Sequence, residues 1–280
     1  MRNDVINVYK KAGQTPLDCI NILKNDNPDL RFTPMTYAGR LDPLAEGVLL
    51  ILTGDECLKK DEYLSLQKEY EVDILFGFKT DTYDVMGMIT KPKEFFNKVI
   101  PSENMLFERS SDEGNWGRCQ TIPNSTSGYV CEMQKIIPEF IGRIRQSYPP
   151  YSSRTVNGKP LFVWAREGKL GEIEIPSHDV FVESIDILDK NIISGEKLLK
   201  DIKEKISQVE GDFRQKEIIS IWSDELKNKS EEEFSIIKLR ISCGGGVYVR
   251  GIANEIGEKL GIGALALKIV RTKVGDFGIN

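Results

Sequence analysis

The chain has a single histidine in 280 residues, no cysteine pair at CxxC spacing, and no long apolar run. With His178 alone, a zinc site would need a thiolate cluster, and Cys19, Cys57, Cys119, Cys131 and Cys243 are scattered. No metal centre is expected. Five thiols, odd in number and unpaired in spacing, read as reduced cysteines in a reducing compartment. The same lone histidine, in Pro176–Asp179 where a loop is expected, leaves Ser-His-Asp chemistry to His178 or to nothing, and no nucleophile-elbow glycines flank a serine. No glycine-rich nucleotide loop stands in the sequence either, so no cofactor is expected. The longest uncharged apolar stretch, Val48 to Gly54, is far too short to cross a bilayer. The N-terminus holds no apolar segment between its charges, so no signal peptide is expected. These absences together give the expectation of a cytoplasmic protein with no membrane partner.

What is present is the composition of a globular chain, 40% apolar and 29% charged, long enough for one large or two small domains. The net charge of −5 argues mildly against a nucleic-acid partner. Its distribution argues otherwise. Residues 142–178 carry six basic and three acidic side chains, and 235–280 carry seven and three. Residues 179–234 carry nine and fifteen, and are expected to face away from any polyanion.

Thr15 reads as an N-cap with Pro16 at the first helical position, and Leu17, Ile20 and Leu23 follow at helical spacing. Tyr70, Val72, Ile74, Phe76 and Phe78 alternate with mostly polar residues, predicting a half-buried antiparallel strand. Leu198, Leu199, Ile202, Ile206 and Val209 predict an amphipathic helix. Phe234 to Ile241 predicts a strand, and Ile252, Ile256 and Leu260 a helix that stops at Gly261. Arg250 then falls at a strand-to-helix junction.

The densest signal is Tyr37-Ala38-Gly39-Arg40-Leu41-Asp42-Pro43-Leu44-Ala45-Glu46-Gly47, running into the apolar Val48–Leu52. Pro43 fixes its own φ and biases Asp42 to an extended backbone, while Gly39 and Gly47 permit a turn or a close approach. Such a loop suits a catalytic acid, and equally an Asx turn in which the aspartate bonds its own backbone. Tyr70 and Arg250 likewise have plain readings, as a core aromatic and a surface arginine.

The string AGRLDPLAEGVLLILTG resembles the catalytic loop of pseudouridine synthases, in particular the family of tRNA pseudouridine-55 synthases (the TruB type). Four further segments resemble that family in order. They are Lys10–Gly13; Lys68–Tyr70 with Phe76–Thr82; Gln146–Ser153 with Asn157–Lys159 and Ala165–Gly168; and Gly246–Arg250 with Gly261–Ala264 and Val270–Gly275. The resemblance implies an α+β pseudouridine synthase fold, a mixed and mainly antiparallel sheet with flanking helices and a central cleft. It implies catalytic roles for Asp42, Tyr70 and Arg250, and substrate-binding roles for Lys10, Tyr37, Gly39, Arg40, Tyr151, Ile269 and Arg271. It implies uridine 55 in the T arm of tRNA as target, reached by flipping the nucleotide out of its stack. A single catalytic domain over residues 1–280 is expected, acting as a monomer, with insertions at about 94–128 and 193–233 and without the C-terminal PUA domain of many relatives. Two departures stand out: Lys11 replaces a proline usual in the family, and Tyr37 replaces its histidine. A synthase for another RNA such as ribosomal RNA, and an inactive RNA-binding or folding protein, are the alternatives.

Overall fold

The run Val48–Leu52 becomes the middle of strand β3 (Glu46–Thr53), buried from its second residue onward. The computed structural model describes residues 4–90 and 126–279, so the expected insertion at 94–128 lies almost wholly outside the described residues. Strand β1 (Asp4–Lys10) pairs antiparallel along β3, with Val8 opposite Leu49. Strand β2 (Met35–Ala38) also pairs antiparallel with β3, Ala38 opposite Leu50. Residues 39–45 therefore close a hairpin, and Asp42 stands at its tip.

From β3 the sheet continues through β10 (Ala264–Val274), β4 (Lys68–Phe76), β9 (Glu233–Cys243) and β8 (Ser177–Ser194) to β5 (Gly142–Ser147). Each of these pairings is antiparallel except β3 with β10, which run parallel where Val270 and Arg271 meet Glu46 and Gly47. Strands β6 (Thr155–Val156) and β7 (Lys159–Pro160) form a separate small hairpin. The sheet is mixed and mainly antiparallel, and helices cover it, so the α+β expectation holds.

Alternation along β4 sends its side chains to two cores. Tyr70, Val72, Ile74 and Phe76 pack with α3 (Thr126–Ile136) and α7 (Val249–Leu260). Leu75 points the other way, to α5 (Gly195–Ser207) and α6 (Gln215–Leu226). Leu49 and Ile51 of β3 lie under α1 (Pro16–Asp26), whose start is fixed by a capping box between Thr15 and Asp18. A register shift in β10 between Ala266 and Lys268 resets the alternation. Ile269 thereby joins Ala264 and Ala266 on the Tyr70 side instead of following Leu265 and Leu267.

Several expectations need correction. The buried stripe of α1 runs through Pro16, Cys19 and Ile20, with Leu23 packed beside them, and Leu17 is exposed. Strand β4 ends at Phe76; Phe78 crosses to the opposite core and packs on Trp222 and Phe234 at ring-centroid distances of 5.0 and 4.9 Å. His178 belongs to strand β8, not to a loop. Cys19, Cys57 and Cys243 are free, but Cys131 is disulfide-bonded, so the reading of reduced thiols fails at Cys131.

The segment 193–233 holds a second helix, α6, whose Ile218, Trp222 and Leu226 are buried against α5 and the sheet. It is a core layer. Trp222→Ala is expected to cost about 3–5 kcal/mol, as for a large aromatic removed from a core, and Trp222→Phe clearly less. Chemical denaturation reads both; a cost near zero for the alanine variant would make the helix pair an appendage.

Candidate active site

Loop 39–45 is pinned from behind by two buried cations. Lys10, at the end of β1, points its Nζ at the backbone carbonyls of Lys11, Asp42, Pro43 and Ala45, at 3.3, 3.3, 3.1 and 2.6 Å. Arg271, 1% exposed, donates from Nε to Val48 O (2.7 Å) and from Nη2 to Gly39 O (2.9 Å), tying the two roots of the loop together. Gly47 is forced here: φ is +110°, and a Cβ would stand 2.2 Å from Arg271 O. Gly39, at φ +81°, lies beneath the Arg271 guanidinium.

Held in this way, Asp42 reaches outward to Arg250. Arg250 Nε donates to Asp42 Oδ2 at 2.8 Å. The arginine side chain is 3% exposed and the aspartate side chain 36%, so the pair has a buried cation and an accessible anion. The hydrogen-bond partner of the Asp42 carboxylate is thus Arg250, not its own backbone as an Asx turn would require. The remaining Arg250 donors are also used, Nη1 on Thr82 O (2.6 Å) and Nη2 on Tyr151 O (3.0 Å). A guanidinium with three fixed acceptors cannot swing, and it sets the direction of the carboxylate.

Arg250 lies in the first turn of α7, past the expected junction, because the helix starts at Val249. That start is set by Gln146, a buried side chain of β5. Its Oε1 accepts from Tyr248 N (2.8 Å) and its Nε2 donates to Tyr248 O (3.0 Å). Tyr148 stacks on His178 at 4.1 Å, and Tyr248 meets Tyr148 edge-on at 5.9 Å. His178 Nε2 faces Gly246 O at 3.0 Å. His178 therefore has a packing role in the wall beside α7.

Tyr70 lies beneath the loop with Leu41, Ala45 and Ile269, in the Tyr70-side core. Burial pushes its hydroxyl up, and the neighbouring Arg271 guanidinium pulls it back. Asp84 lies near Arg250 and accepts from Thr82 Oγ1 (2.6 Å) and Met86 N (2.9 Å). Burial pushes its carboxyl up to about 6 against the pull of Arg250. Burial also works against the charge of Arg250, but Asp42 and Asp84 outweigh it and hold the guanidinium protonated.

The remaining expected residues divide. Arg40 is exposed on the loop. Tyr151 lends its backbone carbonyl to Arg250, and burial lifts its hydroxyl to about 12. Tyr37 packs with the α1-side cluster, with Lys60 Nζ 5.3 Å from its ring centroid. Arg271, expected to bind substrate, is buried and spends its donors on the loop, whereas Lys273 two residues on is exposed. Among the described residues, no group of three or more His, Cys, Asp or Glu could hold a metal ion. Sequence reasoning missed Thr82, Asp84, Gln146 and Arg214. Thr82 and Gln146 lie inside the segments Phe76–Thr82 and Gln146–Ser153 without a role assigned to them, Asp84 stands two residues beyond the first of these, and Arg214 carries no local signal.

The family model described as TruB family pseudouridylate synthase (N terminal domain) matches residues 29–105 and 104–200. The chain belongs to this family. Its relatives include proteins named tRNA pseudouridine synthase B. The one from a Nostoc species is 29% identical over 98% of this chain and 68% of its own length, and that from Clostridium tetani 26% identical over 99% and 70%. That from Bifidobacterium longum is 26% identical over 97% and 63%. The chain thus spans about two thirds of the length of these relatives. The crystal structure of a Cbf5-Nop10-Gar1 complex matches 99% of this chain and 50% of its counterpart at a TM-score of 0.52 and 17% identity, a likeness of fold. In a TruB-family pseudouridylate synthase, the loop pinned by Lys10 and Arg271 becomes the part to test.

Burial holds the Lys10 amine down to about 8, against 10.5 for a free lysine. The folded state thus favours the neutral amine, so the cost of burying the charge is full below pH 8 and relieved between pH 8 and 10.5. Wild type is expected to gain on Lys10→Met as pH rises, by about 2 kcal/mol between pH 7 and 9.5 at 1.4 kcal/mol per unit. Denaturant midpoints of the two proteins at both values read this. A constant difference would mean that the amine is not desolvated.

Proposed function

We propose that this protein isomerises uridine to pseudouridine in tRNA, at position 55 of the T arm. The observation that carries the reading is the Asp42–Arg250 pair, an accessible carboxylate aimed by a buried guanidinium whose three nitrogens each donate a bond. The names of the relatives and the family model supply the substrate class.

The reaction breaks the N1–C1′ bond, turns the uracil, and joins C5 to C1′. N1 ends with a proton and C5 loses one, so no atoms are gained or lost and no electron carrier is required. An ionised Asp42 can attack C1′, or remove the proton at C2′ to give a glycal; its position at the loop tip serves either route. Arg250 holds its direction. The target nucleotide must leave its stack to present C1′ to Asp42. Ile269 and Tyr70 line the ground beneath the loop where the freed base would lie. Tyr70 is 9% exposed, so stacking on its face requires the base to enter beside Leu41. Lys10 and Gly39 act through the loop they fix. Exposed Arg40, Arg154 and Lys273 are the side chains proposed to meet phosphates.

The deciding experiment is pseudouridine mapping of a tRNA substrate incubated with the purified protein. Asp42→Asn is expected to lose about 10³-fold or more in rate with RNA affinity retained, since the group that forms or breaks bonds is gone. A tenth of wild-type turnover in that variant would remove Asp42 as the essential group. Formation of pseudouridine elsewhere than position 55 would keep the chemistry and change the target.

Tyr70→Phe is expected to keep stacking and lose only the hydroxyl, whereas Tyr70→Leu loses the stacking face, about 1–3 kcal/mol of base–aromatic contact. Single-turnover rates compare the two. Equal rates would leave Tyr70 as a core residue.

A further inference from the structure

Strands β8 and β9 pair to their tips, with Ser194 opposite Glu233, and α5 and α6 are set into the turn between them. Backbone bonds Gly195 N to Glu232 O (2.9 Å) and Glu196 N to Ser230 O (3.0 Å) close that junction. The helix pair then runs back across the sheet, and the link between its helices reaches the active site. The segment 179–234 thus reaches the edge of the site through this link, from inside the fold.

The link is fixed internally. Gln215 Nε2 donates to Val209 O (3.0 Å) and Gly211 O (2.7 Å), and its Oε1 accepts from Phe213 N (2.9 Å). Arg214 is held at φ +63°, a left-handed backbone in a residue with a side chain. Tyr83, on the segment it faces, has φ +68°. From this position Arg214 Nη1 donates to Asp81 Oδ2 at 2.9 Å and Nη2 to Oδ1 at 3.5 Å. Its guanidinium carbon also lies 4.5 Å from the centre of the Tyr151 ring. The Tyr151 hydroxyl faces the same Asp81, whose charge helps to keep it protonated. Beside it, Arg166 of α4 (Leu161–Arg166) donates to Asp212 O.

The consequence lies one bond further in. The carbonyls that seat the Arg250 guanidinium are those of Thr82 and Tyr151, next to Asp81 and on Tyr151 itself. Nothing in the backbone pairing of the sheet joins these two segments. Arg214 does, by bonding one and stacking on the other.

We infer that Arg214 is a positioning residue: the α5–α6 link braces the cradle of Arg250, and through it the direction of Asp42. This rests on the proposed isomerase function. Arg214 is only partly exposed and both of its contacts are internal, so its effect is on the bond-making step and not on RNA capture.

The test is single-turnover pseudouridine formation at saturating tRNA, with tRNA affinity and its salt dependence measured in parallel. Arg214→Ala is expected to lower the saturating rate tenfold or more and leave the Kd within twofold. Arg214→Lys, which keeps the charge near Asp81 but loses the planar face on Tyr151, is expected to recover part of the rate. Asp81→Asn is expected to lower the rate as Arg214→Ala does, and the double variant to fall no further than either single one. Should the alanine variant not fold, the lysine and asparagine variants carry the comparison. An unchanged saturating rate overturns the inference, whether the melting temperature falls, as for a merely structural contact, or the Kd weakens with a shallower salt slope, as for a phosphate contact. A wild-type protein that forms no pseudouridine overturns the functional reading and this inference with it; an active one with a fully active Arg214→Ala overturns the inference alone.

Discussion

A carboxylate on a loop can be aimed only if the backbone under it cannot move, and here two buried cations supply that constraint. Lys10 and Arg271 spend their donors on carbonyls of loop 39–45 and of its roots, not on carboxylates. Burying a charge without a partner ion costs several kcal/mol. Several short bonds to carbonyl dipoles offset that cost only when the loop adopts this one conformation. The lowered Lys10 value, about 8, records what remains unpaid in the charged form. Any change that lets the loop relax forfeits those bonds while leaving the charges buried, so the penalty for disorder is steep. Rigidity at Asp42 is therefore a property of β1 and β10 as much as of the loop.

The same logic explains which parts were legible in the sequence. Asp42, Tyr70 and Arg250 stand in ordered strings, and the alternation through Val72, Ile74 and Phe76 predicts the strand that carries Tyr70. What could not be read is anything fixed by distant pairing. Arg271 looks like a surface cation in a basic block. It is buried because β10 runs parallel to β3 for two residues and so lies under the loop. Ile269 faces the loop only because of a register shift in β10. Leu17 has helical spacing, yet the side of α1 that meets β3 begins one residue earlier. α6 went unread because its buried stripe of Ile218, Trp222 and Leu226 is interrupted by polar neighbours, and its partner surface exists only once β8 and β9 have paired.

Around Arg250 alone the charges do not cancel. One guanidinium lies between Asp42 and Asp84, and Asp84, with its value pushed to about 6, is mostly ionised at neutral pH. Lys10 and Arg271 stand behind loop 39–45 and add positive charge close to Asp42, so the carboxylates of the site are matched from inside the fold. Arg214 answers Asp81 and leaves this balance untouched. Attraction for the phosphates of a substrate then falls to exposed side chains such as Arg40, Arg154 and Lys273. Such charges act over roughly 8–10 Å at physiological salt, so they serve only if they ring the opening closely. The overall charge of −5 is therefore a poor guide to the local field, as most of the acidic excess sits on 179–234.

Asp42 depends on residues 10, 82, 151, 250 and 271, which no single element supplies. A site assembled from two strands, two turn segments and a helix is disturbed by a shift in any one of them. The Arg250 guanidinium loses an acceptor if either the Thr82 or the Tyr151 segment drifts, and an arginine buried to that extent with an unused donor is costly. Local opening at the edge of the site is thus opposed by the same bonds that aim the carboxylate. Bracing from the α5–α6 link fits that need, since the Thr82 segment meets the main sheet at a single bridge, Asp84 with Ala266 of β10, and Tyr151 lies beyond the end of β5. In the proposed reaction, such pre-set geometry would let binding energy from the RNA go to extruding the nucleotide instead of ordering Asp42.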